Sequence, residues 1–251
     1  MKKHSTKSLF SKYLIALIAA SFCSAASLFA QVADFSDVGE LNKAFKSSFE
    51  SGGGELTIKE GALSYTVAEA TAKDFQYLLF QPARLRASQD FTITGTFKND
   101  AIPESSKELA SVGIEVYQAT DLRNRVAATL SVARLEGFFS RTVFTQVVEG
   151  GETVDSTYSS ELRVPIETTF KLSFDSDTKV FSVAYDSDEG EAVEWTPVGS
   201  FGINGDGGED GNAYWRMRST EKFLVYVYGY SENLQIFEGD VEATALSVEI
   251  N

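Results

Sequence analysis

The stretch Thr169-Phe-Lys-Leu-Ser-Phe-Asp-Ser-Asp-Thr-Lys-Val-Phe-Ser-Val-Ala-Tyr185 alternates apolar and polar side chains on both sides of a short polar turn, 175–179. An alternation with period two, carried by aromatic and β-branched residues, is typical of a strand that buries one face. Aspartate and serine favour the tight turn because their side chains accept hydrogen bonds from nearby backbone amides. The stretch therefore predicts a β-hairpin. Its buried positions would be Phe170, Leu172 and Phe174 before the turn, and Phe181, Val183 and Tyr185 after it.

The same alternation recurs along the chain from residue 55 onward. Further runs occupy 91–97, 112–116, 222–230 and 241–250, and turns rich in glycine and aspartate separate them. Only 38–49 and 68–74 have the pattern of short helices. Many short strands with few helices predict an all-β fold in which two antiparallel sheets pack as a sandwich. Because neither an internal repeat nor a linker interrupts the pattern, residues 31–251 are interpreted as one domain.

The first thirty residues have the layout of a bacterial secretory signal peptide. A lysine-rich head precedes an apolar run, 13–23, and small residues follow it. The apolar run is shorter than the roughly 20 residues of a spanning helix, so no membrane span is expected in the mature protein. Cleavage after Ala26 or after Ala30 fits the pattern, and Ala30 is favoured because Gln31 opens a polar region. The sequence therefore predicts a secreted protein, periplasmic, extracellular or at the cell surface.

Removal of this segment limits the chemistry of the mature chain. His4 is the only histidine and Cys23 the only cysteine, and both lie in the predicted signal peptide. A Ser-His-Asp triad, a cysteine nucleophile, a zinc site of the usual ligands and a disulfide are therefore excluded from the predicted mature domain.

The chain is strongly acidic. It has 22 Lys and Arg against 36 Asp and Glu, a formal net charge of −14, and the predicted signal peptide takes away lysines but no acid. A surface of this sign repels phosphate groups, so nucleic acid and anionic membranes are not expected as partners.

Several segments resemble the strands of the concanavalin A-like lectin/glucanase superfamily, whose laminin G-like domains are jelly rolls. The resemblance spans nearly the whole mature chain, rests on strand patterning, and implies a jelly-roll sandwich and a tendency to bind carbohydrate. It also implies that Trp195 is a buried tryptophan at the end of a strand. The segments are Asp34-Phe35-Ser36, Gly61-Ala62-Leu63, Asp90-Phe-Thr-Ile-Thr-Gly95, Thr169-Phe-Lys-Leu-Ser-Phe-Asp175, Phe181-Ser-Val-Ala-Tyr185, Glu194-Trp-Thr-Pro-Val-Gly199, 223–229 and 241–249.

The motif Glu238-Gly-Asp-Val-Glu242 resembles the Glu-x-Asp-x-Glu strand of glucanases in this superfamily. By that resemblance Glu238 would be the nucleophile, Glu242 the general acid/base, and Asp240 the residue that tunes them. The flanking pattern opposes catalysis, because Val241, Ala243 and Ala245 have the parity of inward residues and leave the acids in solvent. We therefore expect a protein that is not an enzyme.

Two further segments are candidate binding sites. The loop 204–212 concentrates oxygen ligands of the kind that calcium prefers, with Asp206, Glu209 and Asp210 as candidate ligands. The alternative is a solvated, glycine-rich loop.

In the run 222–230, Phe223, Val225 and Val227 have one parity. The other parity contains three tyrosines that could stack against sugar rings. The alternative is that these rings pair across strands or lie under a loop. The candidate ligand-binding residues are Tyr226, Tyr228 and Tyr230, with Arg216 and Arg218 nearby in the sequence.

The interpretation that joins these observations is a secreted, non-catalytic, lectin-like β-sandwich that binds extracellular carbohydrate. A secreted structural or adhesion domain that binds protein is the alternative. A glycoside hydrolase of the glucanase type is the third possibility.

Overall fold

The computed structural model describes residues 29–59, 61–67, 72–135, 138–186, 193–203, 215, 218–234 and 239–251. Within these residues the chain forms one short helix, α1 (Val38–Ala44), and sixteen strands. The Asp37 side chain accepts hydrogen bonds from the backbone amides of Gly39 and Glu40 and so caps the start of α1. The strands are β1 (Phe29–Val32), β2 (Phe45–Ser51), β3 (Gly54–Lys59), β4 (Ala62–Val67), β5 (Lys73–Phe80), β6 (Leu85–Arg86), β7 (Phe91–Asn99), β8 (Leu109–Gln118), β9 (Asp121–Leu135), β10 (Phe138–Glu149), β11 (Glu152–Tyr158), β12 (Glu167–Asp175), β13 (Val180–Asp186), β14 (Trp195–Gly202), β15 (Lys222–Glu232) and β16 (Val241–Ile250).

The strands form two antiparallel sheets. Sheet A has the order β14-β13-β12-β7-β16-β4-β3, with β1 paired to β16. Sheet B has the order β11-β10-β9-β8-β15-β5-β2, with β6 paired to β15. The two-sheet sandwich predicted from the alternation is confirmed, and β12 and β13 form the predicted hairpin, in which Phe170 pairs with Tyr185.

The core lies between the sheets. Phe91, Phe174 and Phe181 of sheet A meet Phe223 of sheet B, with ring centroids 5.2–5.6 Å from that of Phe223. The predicted inward residues of β15 and β8 are buried on this inner face, so the alternate residues of both strands lie on the outer face of sheet B. The inner-face residues are Val112, Ile114, Val116, Phe223, Val225 and Val227.

The helix prediction for 38–49 is correct only at its start. The helix ends at Ala44, and 45–51 form β2, which pairs with β5 through Phe45 and Phe80. Pairing of the backbone with a neighbouring strand outweighs the weak local preference for a helix. In the second predicted helix, 68–71 lie outside the described residues, and Lys73 and Asp74 already belong to β5.

Two burial predictions are wrong. Ala245 is exposed, because a register shift between Ala243 and Ala245 turns the strand and places Leu246 in the core instead. Trp195 is only partly buried at the start of edge strand β14, where the Lys171 ammonium lies 4.2 Å from its ring centroid. The fully buried tryptophan of the described residues is Trp215.

The start of the described chain bears on the cleavage site. Strand β1 contains both Ala30 and Gln31, paired with Glu249 and Val248 of β16. Cleavage after Ala30 would divide this strand, whereas cleavage after Ala26 would leave it whole, so the position of the cut stays a prediction. None of the helices within the described residues is long and apolar enough to cross a membrane.

Candidate functional site

An open groove of about 620 Å³ lies on the outer face of sheet B. This volume falls within the roughly 300–1,000 Å³ of sites that enclose small molecules. The groove is lined mainly by aromatic rings, with a few polar side chains among them. The aromatic residues are Phe49, Phe75, Tyr77, Tyr117, Phe144, Tyr228 and Tyr230, and the polar ones are Lys73, Glu115, Arg125 and Gln146.

The strand register places the rings on two sides of a floor of small residues. One row of cross-strand partners runs through all seven strands of the main path of sheet B. The Gly113 position has no space for a side chain, because an added Cβ would lie 2.3 Å from the Ala128 carbonyl oxygen. Aromatic rings therefore lie on both sides of β8 and β9, and only the small residues Gly113 and Thr129 lie between them in this row. The row is Phe49, Tyr77, Tyr228, Gly113, Thr129, Phe144 and Tyr158.

The rings on each side support one another. Tyr77 and Tyr228 are stacked, with centroids 5.0 Å apart and planes at 10°, and the Phe49 ring meets the Tyr77 ring edge-on at 6.0 Å. On the other side Phe144 and Tyr158 lie 4.7 Å apart. Such pairs hold the rings in fixed positions before any ligand arrives.

An ion pair lies in the groove beside the Tyr77–Tyr228 stack. Glu115 of β8 is only 1% exposed, and its Oε2 lies 3.3 Å from Nε of Arg125 on β9. The Tyr77 hydroxyl donates a hydrogen bond of 3.5 Å to Oε1 of Glu115. The Arg125 guanidinium also lies 5.8 Å from the centroid of the Tyr117 ring. The buried Oε2 and Nε are in contact but lack hydrogen-bond geometry, and neither has another partner within the described residues.

Burial governs the acid–base behaviour of this cluster. It raises the pKa of Glu115, and the Arg125 charge partly opposes that rise. Burial, followed by the neighbouring Glu115 charge, also raises the pKa values of Tyr77, Tyr117 and Tyr228. These phenols therefore stay protonated near neutral pH, where they act as hydrogen-bond donors and not as nucleophiles.

The three tyrosines predicted to bind ligand occupy the outer face of sheet B, yet two of them are buried. Tyr226 is 3% and Tyr228 6% exposed, and Tyr226 packs on Tyr117 at 5.0 Å. Tyr230 is half-buried and donates a hydrogen bond to Glu232. The exposure that a sugar platform requires is thus lacking at Tyr226 and Tyr228, where the rings pair across strands. Their roles in binding stay predictions.

The other predicted site residues lie elsewhere. Arg218 is exposed and does not line the groove. Asp240 directly precedes β16 and pairs with Lys98 of β7, and Glu242 is partly exposed on β16, so both lie at sheet A and not at the sheet that carries the groove. Among the described residues no three His, Cys, Asp or Glu side chains form a metal-binding cluster. The predicted site residues that lie outside the described ranges are Arg216, Glu238, Asp206, Glu209 and Asp210.

Most of the groove was not predicted from the sequence. Glu115 and Arg125 each have the parity of an outward residue, but they become diagonal neighbours only where β8 pairs with β9, with Ala127 opposite Glu115 and Tyr117 opposite Arg125. The alternation Phe75-Gln-Tyr77 was the one local signal that a second aromatic strand faces the same way as the Tyr226–Tyr230 run.

Comparison with solved structures supports the fold. The chain is similar to lectin II from Ulex europaeus, with a TM-score of 0.56, 8% identity, and coverage of 90% of this chain and 100% of that chain. It is also similar to a protein of unknown function from Shewanella oneidensis MR-1, with a TM-score of 0.52, 14% identity, and coverage of 99% and 96%. A third similar structure is the exoplasmic/lumenal domain of VIP36 in its Ca²⁺/Man2-bound form, with a TM-score of 0.51, 10% identity, and coverage of 88% and 86%.

The fold is therefore the concanavalin A-like lectin jelly roll, as the strand resemblance implied. Identities this low establish the fold and not the function. No family model and no curated protein matches the sequence.

Proposed function

We propose that the groove on sheet B binds carbohydrate and does not cleave it. The observation that carries the proposal is the combination of aromatic rings on both sides of a floor of small residues with an Arg125–Glu115 pair beside them. Sugar rings present apolar faces that stack on aromatic side chains and hydroxyl edges that need hydrogen-bond partners. The groove supplies both.

Similar structures lend support. The VIP36 domain was solved with mannose (Man2) and calcium bound, and lectin UEA-II, with a TM-score of 0.54 to this chain, was solved with galactose. Because the fold is shared while identities are 10% and 8%, the ligand of this groove must be argued from its own residues.

Binding is favoured over hydrolysis by the acids of the groove. Glycosidases use two carboxyl groups, about 5 to 9.5 Å apart. Among the described residues that line the groove, Glu115 is the one acid, and it is buried against Arg125. Glu242 lies on the other sheet, and Asp240 directly precedes the same strand, β16.

The binding proposal is tested by a matched pair of phenylalanines on β10. Phe144 lines the groove, whereas Phe138 points to the same side of the strand, is 73% exposed and lies outside the groove. We expect polysaccharide-containing gels to retard the protein, and we expect Phe144→Ala to weaken binding about tenfold, since a buried aromatic contact is worth about 1.5 kcal/mol or more. Phe138→Ala should behave like the parent.

The gels would contain glucomannan, galactomannan or laminarin, one polysaccharide in each gel. Absence of retardation by any of them, together with an empty glycan array, would refute carbohydrate binding. Equal loss in Phe144→Ala and Phe138→Ala would place binding outside the groove.

We also propose export, on the strength of the signal-peptide pattern, so that the glycan is extracellular.

The adhesion alternative retains one specific observation, which is the hydroxyl-rich outer face of sheet A. There the Thr92 and Ser173 hydroxyls lie 3.0 Å apart, and those of Thr96 and Thr169 lie 2.9 Å apart. A polar face of this kind suits contact with another protein surface.

Calcium binding by the loop 204–212 stays a prediction. If Asp206, Glu209 and Asp210 hold the ion, EDTA should lower the melting temperature, and millimolar calcium should restore it. Calcium at about a hundred times its dissociation constant adds about 2.7 kcal/mol to the free energy of unfolding. A melting temperature indifferent to both reagents would eliminate the site.

A further inference from the structure

The Arg125 side chain is held between the sheet and the groove. It lines the groove, only 25% of it is exposed, and its Nε lies against the Glu115 carboxylate. The Tyr117 ring packs beside the guanidinium. Within the described residues the terminal nitrogens of Arg125 make no hydrogen bond, so the donors of this fork are available to a ligand.

Stability alone does not explain a buried ion pair at this place. Removing two charges from water costs about as much as their attraction returns, and well-packed apolar residues often serve equally well. The surrounding rings of Tyr77, Tyr117 and Tyr226 form a largely apolar layer that a pair of apolar side chains could have completed. A guanidinium fixed in one orientation beside a groove is instead suited to bidentate recognition.

We infer that Arg125 is the polar anchor of the groove, that it donates to two adjacent hydroxyl oxygens of one sugar ring, and that Glu115 is the residue that positions it. This inference rests on the proposed carbohydrate binding and specifies the class of carbohydrate. Because Glu115 balances the charge of Arg125, the ligand is a neutral sugar and not a uronic acid. The aromatic rings on either side stack against the apolar faces of the sugar, while the guanidinium donates hydrogen bonds to hydroxyls at its edge.

The linkage of the glycan follows from this requirement. An interior residue of a 1,4-linked hexose chain keeps the adjacent hydroxyls at C2 and C3. An interior residue of a 1,3-linked chain has no adjacent pair, because the linkage uses the hydroxyl at C3. Arg125 therefore selects 1,4-linked over 1,3-linked chains.

The test compares glucomannan, which is 1,4-linked, with laminarin, which is 1,3-linked. The parent should bind glucomannan more tightly, by about 10- to 100-fold, the worth of a hydrogen bond to a charged group. Arg125→Lys keeps the charge but not the planar fork. It should reduce the ratio of the affinity for glucomannan to the affinity for laminarin to near one. Glu115→Gln should reduce the same ratio, whereas a merely structural defect would weaken both affinities equally.

A second measurement needs no variant and so does not depend on how the substitutions fold. Periodate cleaves the C2–C3 bond between carbons that carry adjacent hydroxyls, giving two aldehydes while the periodate is reduced to iodate, and borohydride then reduces the aldehydes to alcohols. Glucomannan treated in this way should lose its binding to the parent protein. Equal binding of glucomannan and laminarin, retention of binding after periodate treatment, or an unchanged ratio in Arg125→Lys would each overturn the inference and leave carbohydrate binding in place. A parent protein that binds no polysaccharide would overturn carbohydrate binding itself and the inference with it.

Discussion

Phe223→Ala is expected to lower the free energy of unfolding by about 3–5 kcal/mol, the usual cost of truncating a buried aromatic side chain to alanine. Phe223 is the inner-face residue of sheet B that meets the phenylalanine cluster of sheet A. Its ring lies 5.5 Å from that of Phe91 and 5.2 Å from that of Phe174, and the fully buried Trp215 ring is 6.4 Å away. Truncation leaves a cavity that faces both sheets, so neither sheet can close it alone.

Urea denaturation followed by tryptophan fluorescence measures this loss. Phe138→Ala is the matched control, since its ring is 73% exposed and its truncation should change stability by no more than about 0.5 kcal/mol. If the two variants unfolded at the same urea concentration, the placement of Phe223 between the sheets would be wrong.

Tyr228→Ala is expected to lower the free energy of unfolding by about 3 kcal/mol or more, because the ring is 6% exposed and stacked on Tyr77. A tyrosine that served as an open sugar platform would give the opposite result, with stability unchanged and binding lost. Tyr158→Ala removes a ring of the same kind that is 57% exposed at the far side of the groove, and it should leave the melting temperature nearly unchanged.

Tyr228→Phe separates the ring from its hydroxyl. The ring stack on Tyr77 remains, so the loss in free energy of unfolding should be well below that of Tyr228→Ala. Thermal melting and gel retardation measured on the same three variants distinguish structural from binding roles. A Tyr228→Ala protein that melts like the parent would show that the ring is not part of the packed layer.

Periodicity predicted the fold because it is a local property that packing then reinforces. In β12 and β13 the side chains of the inward parity are buried in the core, and the hairpin register pairs Phe174 with Phe181. The same reasoning failed at Ala245, where a bulge shifts the parity by one residue. The bulge depends on the register between β16 and β7, and the local sequence of β16 does not indicate that register.

The candidate site was partly visible in the sequence and partly hidden. The outward parity of Tyr226, Tyr228 and Tyr230 was correct, but their burial depends on Tyr77, Tyr117 and Phe49, which come from three other strands. A side chain alternates in or out according to its own strand, whereas exposure is set by neighbours that are distant in sequence.

The sequence by itself determined the jelly-roll class, the inner face of each long strand and the acidic, histidine-poor chemistry of the predicted mature chain. Each follows from composition or from a repeat of two residues. Only the tertiary structure decided that Glu115 meets Arg125, that Gly113 and Thr129 lie between two groups of rings, and that the strand with Glu242 belongs to the other sheet. The physical reason is strand order: antiparallel pairing joins segments far apart along the chain, and the register that aligns them is fixed by burial of the whole core and not by any one strand.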